Sequence, residues 1–218
     1  MSLKFAKTIS LAAVAAAAGF SLWARTRLPD APVATHFDAA GHANGYMPRD
    51  MALAFMPAMC LGVWVVMLWI LPLIMPKKGR LERSSEAYGA SVVVLLLFLG
   101  FVHAGMIALA LHYPVDLKRM VLFGTGLLFV VLGNYLPKTR FNYVMGIRSP
   151  WTLSSEEVWD RTHRFSGPLF MLLGAFILAD AALAPFPLGF ILMVVASAAV
   201  SLVCVAYSYI VARRLNLA

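Results

Sequence analysis

Residues 51–75 read MALAFMPAMCLGVWVVMLWILPLIM, 25 positions without one charged side chain. About 20 apolar residues in a helix cross the ~30 Å hydrocarbon core of a bilayer, because each residue rises about 1.5 Å. The stretch is therefore long enough to span a membrane with some tilt, and Pro57 and Pro72 are expected to bend its ends. Five similar runs flank it: Ile9–Ala24, Tyr88–Leu111, Met120–Leu136, Phe165–Ala179 and Leu188–Ala212. Of the 218 residues, 61% are hydrophobic and 13% charged, against about 25% charged in soluble domains. The expected fold class is all-α: a polytopic integral membrane bundle of about six transmembrane helices, not a soluble domain.

The net charge of +8 does not point to direct nucleic-acid binding. Lys and Arg sit in short segments between apolar runs, where they act as topology determinants. With the N-terminus inside, 13 of the 18 basic residues fall on the cytoplasmic side, in the N-terminal tail, 77–83, 138–164 and the C-terminal tail. The other five fall in 25–49 and 118–119. Both termini are thus expected in the cytoplasm. Cys60 and Cys204 lie inside apolar runs as small hydrophobes, so no disulfide framework or zinc knuckle is expected.

Two polar segments interrupt the apolar chain. In the outer one, 25–50, Pro29 and Pro32 favour an extended entry, while Gly41 and Asn44-Gly45 are turn formers. His36, Asp38 and His42 are zinc-ligand types. The stronger reading has Asp38 and Asn44 bonding their own loop and His36 packing at the membrane surface, so neither metal nor cofactor is assigned.

The inner segment, 137–164, contains Asn142, Gly146-Ile-Arg148-Ser-Pro-Trp151-Thr and a readable helix start. Ser154 and Glu157 have capping-box spacing. Glu157 with Arg161, and Asp160 with Arg164, have the favourable acid-first i,i+4 order. Trp159, Thr162, His163 and Ser166 share one face of a helix that Pro168 can kink. Trp151, Trp159, Tyr135 and Lys138 taken singly suit interfacial anchoring. Asn134 lies within an apolar run, where a lipid-facing amide is costly, and is expected to face the bundle. Of the embedded ionisable groups, His103 is read as a neutral interhelical hydrogen-bonder and Asp180 as hydrated near the outer interface.

The inner stretch, Gly133-Asn-Tyr-Leu-Pro-Lys138, Asn142, Gly146-Ile-Arg-Ser-Pro-Trp-Thr-Leu153, Val158-Trp159 and Thr162-His-Arg164, resembles the signature of the SdpI family. The outer stretch, with Leu28-Pro29, His36-Phe37-Asp38, Gly41 and Gly45-Tyr46, resembles the N-terminal domain of unknown function often attached to it. The resemblance implies an N-terminal region 1–75 carrying outer loop 25–50 and an SdpI-like region 76–218 carrying motif loop 137–164. It also implies a bacterial cytoplasmic (inner) membrane location and an uncleaved first helix, although Ala15–Ala18 would suit signal-peptide cleavage. The implied role is non-enzymatic: immunity against a membrane-active peptide toxin, or signalling by membrane recruitment of a cytoplasmic transcriptional regulator, with membrane lipids as further partners. Expected binding residues are Asn134, Asn142, Arg148, Trp151, Trp159, His163 and Arg164 in the motif loop, and His36, Phe37, Asp38, Gly41 and Gly45 outside. Asn134, Asn142, Arg148, Trp159 and His163 are expected to converge on one polar site.

Two other classes compete. A membrane enzyme would use Arg148 to hold an anionic headgroup and His163 as general acid or base, but the chain shows no nucleophile motif. A transporter would need several polar or unwound sites at the midplane, and His103 and Asp180 are too few. The topology is testable by C-terminal reporter fusions: cytoplasmic activity is expected, and a periplasmic C-terminus would put Arg148 on the wrong side.

Overall fold

In the computed structural model, residues 2–38, 41–74, 81, 83–185 and 187–217 are described. Six helices in it are long and apolar enough to cross a membrane. They are α1 (Leu3–Arg25), α2 (Arg49–Ile74), α3 (Ser85–Ala110), α4 (Leu117–Tyr135, extended to Lys138 by a tight turn), α6 (Glu156–Leu183) and α7 (Leu188–Arg214). The short α5 (Pro150–Ser154) lies between α4 and α6. Met75, most of the 77–83 basic cluster and the 75/76 region boundary fall outside the described residues.

Outer loop 25–50 holds the one departure from all-α structure among the described residues, a small antiparallel hairpin of β1 (Val33–Phe37) and β2 (Ala43–Met47). Val33 faces inward and joins Ala24, Leu28, Leu53 and Ile107 in a core under the hairpin. Gly41 turns at φ 85°, a left-handed conformation that favours glycine. Gly45 stands opposite His36 and leaves no room for a side chain there. Arg25 grips Asp50 through two bonds of 2.9 and 3.0 Å, closing the base of the loop.

The bend expected of α2 takes a specific form. A π-helical turn, Val66–Ile70, precedes Pro72, and the Leu71 amide bonds back to Val66 rather than Met67. In that register the Met67 carbonyl would need the amide of residue 72, and proline has none. An unpaired carbonyl in hydrocarbon costs several kcal/mol. The hydroxyl of Tyr88, wholly buried on α3, donates to it.

The helices α1, α2 and α3 pack against one another, and the bundle continues from α3 through α4 and α6 to α7. The α4–α6 seam is the tightest. A Cβ on Gly133 would overlap the Met171 amide and the Gly167 carbonyl, and one on Gly174 would overlap the Gly126 carbonyl and the Val130 amide. Small residues permit this backbone approach, which drives helix association where lipid removes the hydrophobic incentive. The fifth span begins at Glu156, well before the expected Phe165, because the inner-loop helix and the span are one continuous α6.

Filling the seam should break it. Gly133→Leu or Gly174→Leu is expected to cost at least about 1–3 kcal/mol and to lower the thermal unfolding temperature in detergent. Gly62→Leu should be neutral, since nothing lies within 4 Å of a Cβ there.

Candidate functional site

The seam delivers Pro137 and Thr139 directly over the start of α6, and the motif loop closes against that face. Trp159 is fully buried and donates from Nε1 to the Thr139 carbonyl at 3.2 Å. Its ring stacks on His163, centroids 4.0 Å apart, and meets Phe141 at 5.5 Å. His163 Nδ1 lies 2.8 Å from the Trp159 carbonyl, while Nε2 accepts from the Ile147 amide at 3.0 Å. A carbonyl can only accept and an amide can only donate, so these bonds define a neutral imidazole protonated on Nδ1. Gly146, at φ 110°, leaves the space that the imidazole occupies.

Asn142, also buried, organises the loop from inside. Its Oδ1 accepts from the Val144 and Met145 amides at 2.8 and 2.9 Å, and its Nδ2 donates to the Arg140 carbonyl at 2.8 Å. Ser84 anchors the loop to the start of α3, accepting from the Arg140 amide at 2.8 Å. Ser149 caps α5 in a true capping box with Thr152, and its hydroxyl meets that of Ser208 on α7 at 2.8 Å. Thr152 Oγ1 donates to the Ile147 carbonyl at 2.8 Å. Trp151 is half-buried against Tyr209, centroids 5.0 Å apart.

Asn142, Trp159 and His163 therefore converge, but the other expected members do not join them. Asn134 is exposed, and its side-chain amide makes no hydrogen bond among the described residues. Gly133 takes the inward position, and an adjacent residue points about 100° away on a 3.6-residue helix. Arg148 emerges on the surface, where Nη1 donates to the Tyr143 carbonyl at 3.0 Å. Arg164 is exposed and forms no ion pair among the described residues.

Two local readings are also corrected. Ser155, not Ser154, caps α6, because Ser154 ends α5 and bonds the Trp151 carbonyl. Asp160 reaches Arg140 at 3.5 Å rather than Arg164, while Glu157 and Arg161 pair as expected. The sequence pointed to Gly146 as a bend in the loop, but gave no role to Ser84, Thr139, Phe141 or Ser208.

At the opposite end of the bundle, Phe37 and Gly41 line a cleft of about 430 Å³ with Asp116, Lys118, Leu122 and Phe190. His36 and Gly45 serve the hairpin itself: His36 Nδ1 donates to Asn44 Oδ1. Asp38 accepts from the His42 amide at 2.9 Å, with the His42 ring 3.6 Å from its other oxygen. No group of three metal-ligating side chains occurs among the described residues. His103 bonds Ser21 on α1 at 2.7 Å, an interhelical bond as read. Asp180 is buried rather than hydrated, and its carboxylate lies against Gly189 at the start of α7.

Compared with known proteins, residues 138–208 match the SdpI/YfhL protein family. Residues 138–208 are an SdpI-family region. Residues 12–61 match a domain of unknown function, DUF1648. The Immunity protein SdpI of Bacillus subtilis (strain 168) is 29% identical over 85 residues, which are 39% of this chain and 41% of that protein. The match thus spans about two fifths of the relative's length. No solved structure matches. The SdpI-family region begins at Lys138, where α4 hands over to the motif loop, and ends at Ser208, which bonds that loop. Its limits therefore enclose the motif loop, Trp159, His163 and Ser208, while the Ser84 anchor lies outside them.

The knot should depend on Asn142. Asn142→Ala orphans the half-buried Val144 and Met145 amides, at a cost of up to about 1–3 kcal/mol each, and is expected to open the 140–148 loop to limited proteolysis. Asn142→Asp keeps the accepting oxygen and should be milder.

Proposed function

We propose that this multi-pass membrane protein is of the immunity type and acts in the bacterial inner membrane. It would lessen damage by a secreted, membrane-active peptide that it meets at the outer cleft. The observation that carries this reading is the cleft's make-up. Phe37 and Gly41 come from the region matching the domain of unknown function and Phe190 from the SdpI-family region. The two matched regions thus share one apolar hollow at the membrane surface, with Asp116 and Lys118 on its wall. An amphipathic peptide presents the complementary combination, an apolar face with polar groups at its edge. The name of the Bacillus subtilis relative supports the same role.

The motif loop then serves as a rigid brace, and its exposed Arg148, Arg161 and Arg164 form a surface on which a cytoplasmic regulator would dock. Against the enzyme reading, both ring nitrogens of His163 are bonded to backbone. Arg148 spends one N–H on the Tyr143 carbonyl.

The test is challenge of a sensitive bacterial host with secreted small peptides encoded near the gene, reading survival and membrane potential. The chain should protect, and Phe37→Ala should remove protection at an unchanged membrane level. Arg148→Lys should retain it, because a single donor to Tyr143 suffices. Failure to protect against any of these peptides overturns the immunity reading. Loss in Arg148→Lys with retention in Phe37→Ala moves the site to the inner loop.

A further inference from the structure

A second hollow runs along the junction of α3 and α4, about 400 Å³ in volume and lined by apolar residues, among them Val94, Leu97 and Phe98 of α3 and Phe123, Leu127 and Val131 of α4. Leu97, Phe123 and Leu127 are exposed, so its long side opens towards lipid. Gly124 forms the floor, with the Phe98 and Phe101 rings packed where its side chain would stand. Phe123 to Val131 spans about 12 Å of helix, so the hollow averages about 33 Å² in cross-section. A helix about 10 Å across has more than twice that section. The hollow therefore suits a hydrocarbon chain and is too narrow for a helix.

Its inner end is polar. Phe123, Leu127, Val131, Asn134 and Lys138 follow at spacings of four, four, three and four, which makes them one stripe of the α4 surface. Asn134 is exposed about 4.5 Å beyond Val131 along the axis, with an open side-chain amide. Lys138 is exposed as well, and its Nζ lies 4.6 Å from the Tyr135 ring centroid. That contact uses the charge of the ammonium rather than its N–H donors. Phe129 and Phe170 meet across one flank of the α4–α6 seam, centroids 5.5 Å apart. At about 100° per residue, Asn134 and exposed Arg164 fall together on the other flank. Two cations and an amide thus border the mouth of an apolar groove.

We propose that the α3/α4 groove holds one acyl chain of an anionic phospholipid whose phosphate is bound by Lys138 and the Asn134 amide. A phospholipid has the complementary order, a hydrocarbon chain ending in a phosphate at the depth where a helix leaves the membrane. Excess positive charge at that depth favours an anionic headgroup, since a zwitterionic one brings a cation of its own. The site lies at the motif-loop end of the bundle, away from the outer cleft.

The full chain, purified in detergent, is titrated with palmitoyl-oleoyl phosphatidylglycerol, and bound lipid is counted by native mass spectrometry. One saturating lipid is expected, held in preference to phosphatidylcholine with the same chains. Lys138→Gln should weaken binding about fivefold, the contribution of one cation beside an anionic lipid surface. The same change at exposed Lys4 on α1 should leave binding unaltered. Val131→Trp, which fills the groove, should remove the bound lipid at unchanged yield, and glycerol phosphate should not compete because it lacks the chain. Equal retention of phosphatidylcholine, an equal loss in Lys4→Gln, undiminished binding in Val131→Trp, or displacement by glycerol phosphate overturns the proposal.

Discussion

The close backbone approach of α4 and α6 governs the inner end of this molecule. Gly126, Gly133, Gly167 and Gly174 remove the side chains that would hold the two helices apart, and the loop between them must then begin and end within one narrow seam. Pro137 lies against Gly167, Thr139 reaches Trp159, and the loop has no course except over the face of α6. The His163 ring then fills the space left open by Gly146 and takes the Ile147 amide. A wider seam would leave Trp159 and His163 facing lipid or water instead of each other.

A second constraint acts along the whole chain: backbone groups withdrawn from water must find partners. Pro72 removes a donor, the π turn shifts the ladder, and Tyr88 on another helix supplies the bond. In the motif loop the same demand falls on side chains. Asn142, Ser84 and Thr152 act as substitutes for secondary structure, satisfying a loop that makes no helical or sheet ladder of its own. This explains why so polar a set is buried there.

The two ends of the bundle therefore do different work. Inner polar residues are largely spent on holding their own loop. The outer end encloses an apolar cleft whose walls come from the hairpin and three helices, with charge at its edge.

The spans, their approximate limits and the side favoured by the basic residues were legible in the sequence, because hydrocarbon thickness and charge distribution act on local composition alone. The Trp159, Thr162, His163 and Ser166 face was legible too, since helical periodicity fixes which residues share a side. The fate of Asn134 was not: polarity in an apolar run says that an amide needs relief, but not whether a bundle partner or the nearby interface gives it. Nor could the sequence distinguish Arg148 as a ligand clamp from Arg148 bonded to Tyr143, or His163 as a proton carrier from His163 held at both nitrogens. Those outcomes depend on contacts between α4, α6 and the loop. Only the glycine seam, made between residues some forty positions apart, decides which atoms meet.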